Sequence, residues 1–149
     1  MGNIFNNDFQ EFITCLNKHD VDYILVGGYS VILHGYPRTT GDLDVWVNPV
    51  KENYLKLMLA FQEFGLPNIP TEMFFDLQNY DVFGYGRPPV SIEILTNVKG
   101  LTFEVAKKDI VIFEEDHVKV KTISYRHLIE AKKSSNRPRD INDIENLEK

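Results

Sequence analysis

Apolar and polar positions follow two rhythms along this chain. One repeats every three to four residues, like one face of a helix. The other repeats every second residue, like a strand with one buried side. Phe9, Phe12, Ile13 and Leu16 keep the first rhythm and, with Asn7 as cap, predict a helix over 7–19. Residues 22–27 are mostly apolar and predict a buried strand running into Gly27-Gly28. A short helix is expected over 30–35, closed by Gly35 and Pro37, and then a strand over 43–47. Asn48-Pro49 predicts a helix start. That helix runs to about Phe64, turns Leu55, Leu57, Met58, Leu59 and Phe61 inward, and stops at Gly65. Residues 66–79 show no period and read as loop.

Strands are predicted over 80–84 and 90–95, joined by a turn rich in Gly and Pro that includes Pro88 and Pro89. A helical turn follows over 102–107. Val118, Val120 and Thr122 alternate with Lys119 and Lys121, so 110–114 and 118–123 read as a hairpin. Ser124 caps a helix to about 134. Pro138 opens a last one, with Ile141, Ile144 and Leu147 as its buried stripe. Helices and strands are interleaved with a hairpin. The expected class is therefore α/β (α+β): a mixed β-sheet with flanking helices and a C-terminal helical pair. No repeat or long linker interrupts 1–149, so a single domain is expected.

Charge refines this picture. The chain of 149 residues has a net charge of −6, which gives it no general attraction to nucleic acid. Against that background, Arg126, Lys132, Lys133, Arg137 and Arg139 form a basic island with only Glu130 among them. No apolar run has the length of a membrane span, and the first residues lack a basic-then-apolar leader pattern. Met1-Gly2 opens like a myristoylation signal, but Asn6 stands where Ser or Thr is needed. The lone Cys15 excludes an internal disulfide and fits a reducing, cytoplasmic setting as a buried packing thiol.

The chemistry concentrates in YILVGGYSVILHGYPRTTGDLDVWVN, residues 23–48. Asp42 and Asp44 are two apart on a strand and so point the same way. Apposed carboxylates repel, and a divalent cation relieves the repulsion. Gly27 and Gly28 permit close backbone approach at a helix start, where amides can face an anion. Together these features suggest a metal–triphosphate site. A third acid is expected, and Glu93 suits it best. It lies between Ile92 and Ile94, so alternation turns it to the opposite face; Asp76, Asp81 and Asp109 are weaker rivals. Ser30 could bond a phosphate or cap the helix. Arg38 and Thr40 precede the acidic strand and could reach a triphosphate. Lys132 and Arg137 offer phosphate donors, or else form a solvated basic helix end. Asp140 and Asp143 favour the first turn of the last helix. Trp46 shares the face of the aspartates and could stack a base. The four histidines lack paired ligand spacing, so no zinc site is expected; His34 reads first as a helix-end residue and only secondarily as a lining of the site mouth. There is no Walker loop, Gly-x-Gly-x-x-Gly or Gly-x-Ser-x-Gly.

The spacing GG(x13)DLD, followed by an acid on a later strand, resembles the nucleotidyltransferase superfamily that includes DNA polymerase beta. RTTGDLDVWVNP, VSIEILTNVKGLTFE and ISYRHLIEAKKSSNRPRDINDIENL further resemble small bacterial nucleotidyltransferases of the AbiEii toxin type. The resemblance implies a nucleotidyltransferase fold and transfer of a nucleoside monophosphate from an NTP, such as ATP, to a hydroxyl, releasing pyrophosphate. It implies Mg²⁺, or Mn²⁺, held by Asp42, Asp44 and Glu93, with Glu93 also the candidate base. Gly27, Gly28 and Ser30 would bind phosphates with Lys132 and Arg137. Glu93 stands where relatives often have Asp. The acceptor is open between tRNA, protein and small molecules, and a toxin–antitoxin partner is implied. The alternative is a catalytically silent member of the fold acting as an antitoxin-like or regulatory binding protein. A glycosyltransferase using Asp-x-Asp fits less well, because of the Gly-Gly helix start.

Overall fold

A computed structural model describes residues 4–87 and 90–149; Pro88 and Pro89 of the predicted turn, like Met1 and Gly2, lie outside them. One mixed six-stranded sheet organises the chain. In sequence order its strands are β1 (Tyr23–Val26), β2 (Asp42–Val47), β3 (Val82–Arg87), β4 (Val90–Leu95), β5 (Val111–Glu115) and β6 (Val118–Thr122). Their spatial order is β3-β4-β2-β1-β6-β5. β1 is antiparallel to β2 and parallel to β6, β2 is parallel to β4, and the two outer pairs are antiparallel hairpins.

The helices are α1 (Asn7–Lys18), α2 (Gly27–Leu33), α3 (Lys51–Phe64), α4 (Thr71–Phe74), α5 (Phe103–Lys108), α6 (Tyr125–Ser135) and α7 (Pro138–Leu147). Local chemistry sets their ends. The Asn6 side chain accepts from the Phe9 amide at the start of α1, and Ser124 accepts from His127 at the start of α6. Gly65, at φ 103°, ends α3 in the left-handed region. Several boundaries differ from expectation: Asn6 rather than Asn7 caps α1, α3 begins at Lys51 rather than at Asn48-Pro49, and β3 spans Val82–Arg87 rather than 80–84. α2 begins at Gly27, so the glycines open the helix rather than precede it. α4 occupies part of the segment 66–79 that lacked a period.

Alternation along the strands splits the core in two. Tyr23, Leu25, Leu43, Val45, Val47, Ile92 and Ile94 face one side and pack with Phe9, Phe12 and Leu16 of α1 and Leu57 and Phe61 of α3. Ile24, Val26 and Trp46 face the other side and meet Phe103 of α5 and Leu128 of α6. That second cluster is smaller. Asp42, Asp44 and Glu93 stand on the same face of the sheet, each half-buried.

Two predicted stripes shift. Leu57, Met58 and Phe61 are buried on α3, but Leu55 and Leu59 are more than half exposed. Helical geometry puts them round the cylinder from Leu57 and Phe61. On α7 Ile141 is exposed, and the fully buried positions are Asp140 and Asp143. Cys15 is buried as expected. Among the described residues no helix is long and apolar enough to cross a membrane.

Candidate active site

The register of β2 on β4 sets Asp44 beside Glu93 and Asp42 beside Ser91. Neighbours across a parallel ladder share a face, so all three acids stand together. They line a cavity of about 560 Å³ whose walls also include Gly27, Gly28, Arg38, Thr40, Lys132 and Arg137. Nine of the ten residues expected to bind metal or phosphate therefore meet at one place. The tenth, Ser30, does not. It is fully buried, and its hydroxyl donates to the Gly27 carbonyl at 2.6 Å, bracing the helix start from inside.

The acids interact with one another. Burial, then a hydrogen bond with Glu93 and the charges of Glu93 and Asp42, push the Asp44 carboxyl up to about 8, with Arg139 opposing. Asp42 takes the Ser91 hydroxyl at 2.7 Å. Among the described residues no three His, Cys, Asp or Glu side chains are arranged to hold one ion between them. The expected convergence is thus adjacency on two strands rather than a closed ligand set. The donor chemistry still fits a hard divalent cation. The set is all oxygen and anionic, and the repulsion that raises Asp44 is what such a cation relieves.

The glycines are required by contact. A Cβ on Gly27, whose φ is +72°, would lie 2.0 Å from Asp44 Oδ2; one on Gly28 would lie 2.6 Å from Thr40 Oγ1. Gly27→Ala should cost about 2 kcal/mol from the left-handed backbone and the clash together. It should also cut any turnover by about tenfold or more through displacement of Asp44. Thermal melts and initial rates on the same preparation check both.

The cations are less available than their sequence suggests. Lys132 is only 8% exposed and sits 3.2 Å from Asp140 and 2.9 Å from Asp143, so it is neither solvated nor free. Arg38 faces Asp143 with Nε 2.8 Å from Oδ1, an ion contact without hydrogen-bond alignment, and Nη2 donating to Oδ2 at 3.1 Å. Arg137 stands at the N-cap of α7, where its backbone amide and its Nε both donate to Asp140, at 3.1 and 2.7 Å. Burial works to raise the Asp140 carboxyl, but bonds from Arg137 and the Lys132 charge outweigh it and hold it below the usual range. The two acids expected at the helix start are therefore the buried centre of a network tying α6 and α7 to the segment before β2.

Trp46 does share the aspartate face, but it is 1% exposed and packs edge-on against Phe103, so no base can stack on it. His34 bonds the Ile123 carbonyl and does not line the cavity. Sequence reasoning missed Lys99, Asn97 and Ser135 in the cavity wall and left Arg139 as one charge among several.

Over residues 6–148 the sequence matches the family described as "Nucleotidyltransferase of unknown function (DUF6036)". The chain belongs to this nucleotidyltransferase family. Its fold is a nucleotidyltransferase fold, similar to the crystal structure of lincosamide antibiotic adenylyltransferase LnuA, lincomycin-bound. That match has a TM-score of 0.58 at 16% identity, covering 99% of this chain and 98% of that one. No curated protein matches the sequence. Within the DUF6036 nucleotidyltransferase, the carboxylates of β2 and β4 and the glycine start of α2 form one wall of the cavity. The α6–α7 network forms another.

Proposed function

We propose that this single domain transfers a nucleoside monophosphate from an NTP to a hydroxyl acceptor, releasing pyrophosphate. The observation that carries the reading is the row of three acids, one pushed up to about 8, in a cavity bounded by Gly27 and Gly28. Asp42 and Asp44 would hold Mg²⁺, or Mn²⁺ in its place, with Glu93 as third ligand or as base toward the acceptor hydroxyl. The bound cation would neutralise phosphate charge and polarise the α-phosphate. Thr40 and the first amides of α2 would orient the phosphates. The buried Arg38–Asp143–Lys132–Asp140 network would keep the facing wall in place.

A small-molecule hydroxyl is the acceptor we favour, given a fold shared with an adenylyltransferase solved with an antibiotic bound. The Lys132, Arg137 and Asp140 tail supports an AbiEii toxin-type affiliation, with tRNA or protein acceptors and an antitoxin-like partner as its corollary. The test is pyrophosphate release from each NTP with Mg²⁺. The small-molecule, RNA and protein fractions of a cell extract are supplied separately as acceptors. Release that requires one fraction and disappears in Asp42→Asn is expected. Release from none of them, alongside stable capture of one protein partner, would favour the silent binding protein instead.

A further inference from the structure

Building on that reading, we propose that Arg139 and Lys99 are the residues that hold the triphosphate chain, rather than Lys132 and Arg38. Besides Asp140, which is paired with Lys132 and Arg137, four carboxylates, Asp42, Asp44, Asp81 and Glu93, line the cavity, so an incoming triphosphate meets repulsion unless uncommitted positive charge stands by. Lys132 and Arg38 cannot supply much of it. Each is ion-paired with Asp143, and Lys132 also with Asp140; both of these acids are fully buried. Arg137 is engaged in the cap of α7.

Arg139 and Lys99 differ in every one of these respects. Both line the same cavity and both are exposed. Among the described residues neither has a carboxylate within ion-pair distance. Arg139 rises from the first turn of α7, close enough for its charge to offset part of the push on Asp44. Its planar fork suits phosphate oxygens, whereas Lys99 acts as a point charge. Lys99 is also held in place. The next residue, Gly100, has φ +88°, and a Cβ there would lie 2.1 Å from Ser134 Oγ, so the turn carrying Lys99 is seated directly on α6.

The experiment is calorimetric binding of an α,β-methylene nucleoside triphosphate with Mg²⁺ to the full chain, with melting temperatures taken in parallel. Arg139→Ala should weaken binding about tenfold or more, Lys99→Ala about threefold to tenfold, and the pair by more than either. Arg139→Lys should recover part of the loss. The salt dependence should become shallower in each alanine variant, with melting unchanged. Binding of the nucleoside monophosphate should change little. If the wild type binds the triphosphate and the double variant binds it equally well, the assignment is wrong while nucleotidyl transfer stands. If the wild type binds no triphosphate under any NTP base, the transfer reading falls and this assignment with it.

Discussion

Asp44→Asn should abolish nucleotidyl transfer, by roughly a thousandfold or more, and should at the same time stabilise the fold at pH 8. The two effects share one cause. The Asp44 carboxyl titrates near 8 in the folded chain, against 3.8 ordinarily, because it is buried and faces Glu93 and Asp42. Between those values the folded state holds a proton that the unfolded state has lost. Stability therefore falls as pH rises through that window and levels off above it. Asparagine imitates the protonated form at all pH values and removes the penalty. The expected gain at pH 8 is about 2–3 kcal/mol, or roughly 5–10 °C, shrinking to nothing near pH 4. Melting curves at pH 4, 6 and 8 check it. An Asn variant that melts below the wild type at pH 8 would mean that Asp44 is held by favourable contacts rather than strained by repulsion.

Asp143→Ala should be the most damaging change outside the acidic row. It leaves the half-buried Arg38 without its carboxylate and strips Lys132 of one of two partners inside the molecule. Removing one member of a buried ion network costs about 3–5 kcal/mol, since the remaining charges stay desolvated. The midpoint in urea should fall accordingly, and α7 should detach before the sheet unfolds. Asp143→Asn keeps an acceptor and should cost about half as much. Amide exchange resolved along the chain distinguishes local release of α6–α7 from global unfolding. Uniform loss of protection in Asp143→Ala would count against a network whose task is to join those helices to the segment before β2.

Much of this site is legible in the sequence, and its legibility has a physical basis. Asp42 and Asp44 are two residues apart, so strand geometry alone places them on one face. Glu93 between two isoleucines is fixed the same way, and the parallel ladder then sets it beside Asp44. The Gly-Gly pair is readable because only glycine leaves room for Asp44 against Gly27 and for Thr40 against Gly28. Availability of charge is harder to read. Lys132 and Arg38 look like solvated donors until tertiary contact brings Asp140 and Asp143 against them, and no local period reports that contact. The apolar pattern of α7 misleads for the same reason, since its buried face is acidic and complements α6. Trp46 was on the predicted face, but α5 arrives from far along the chain to cover it with Phe103. Lys99 lies in a turn with no pattern at all and is placed only by the packing of Gly100 on α6.

The most direct test follows the label. With Mg²⁺ and an accepted hydroxyl substrate, an NTP labelled at the α-phosphate should pass its label to the acceptor. The same NTP labelled at the γ-phosphate should yield labelled pyrophosphate and leave the acceptor unlabelled, and Asp42→Asn should give neither labelled acceptor nor labelled pyrophosphate. Transfer of the γ-label, or α-label transfer that persists in Asp42→Asn, would contradict nucleotidyl transfer at the acids of β2 and β4.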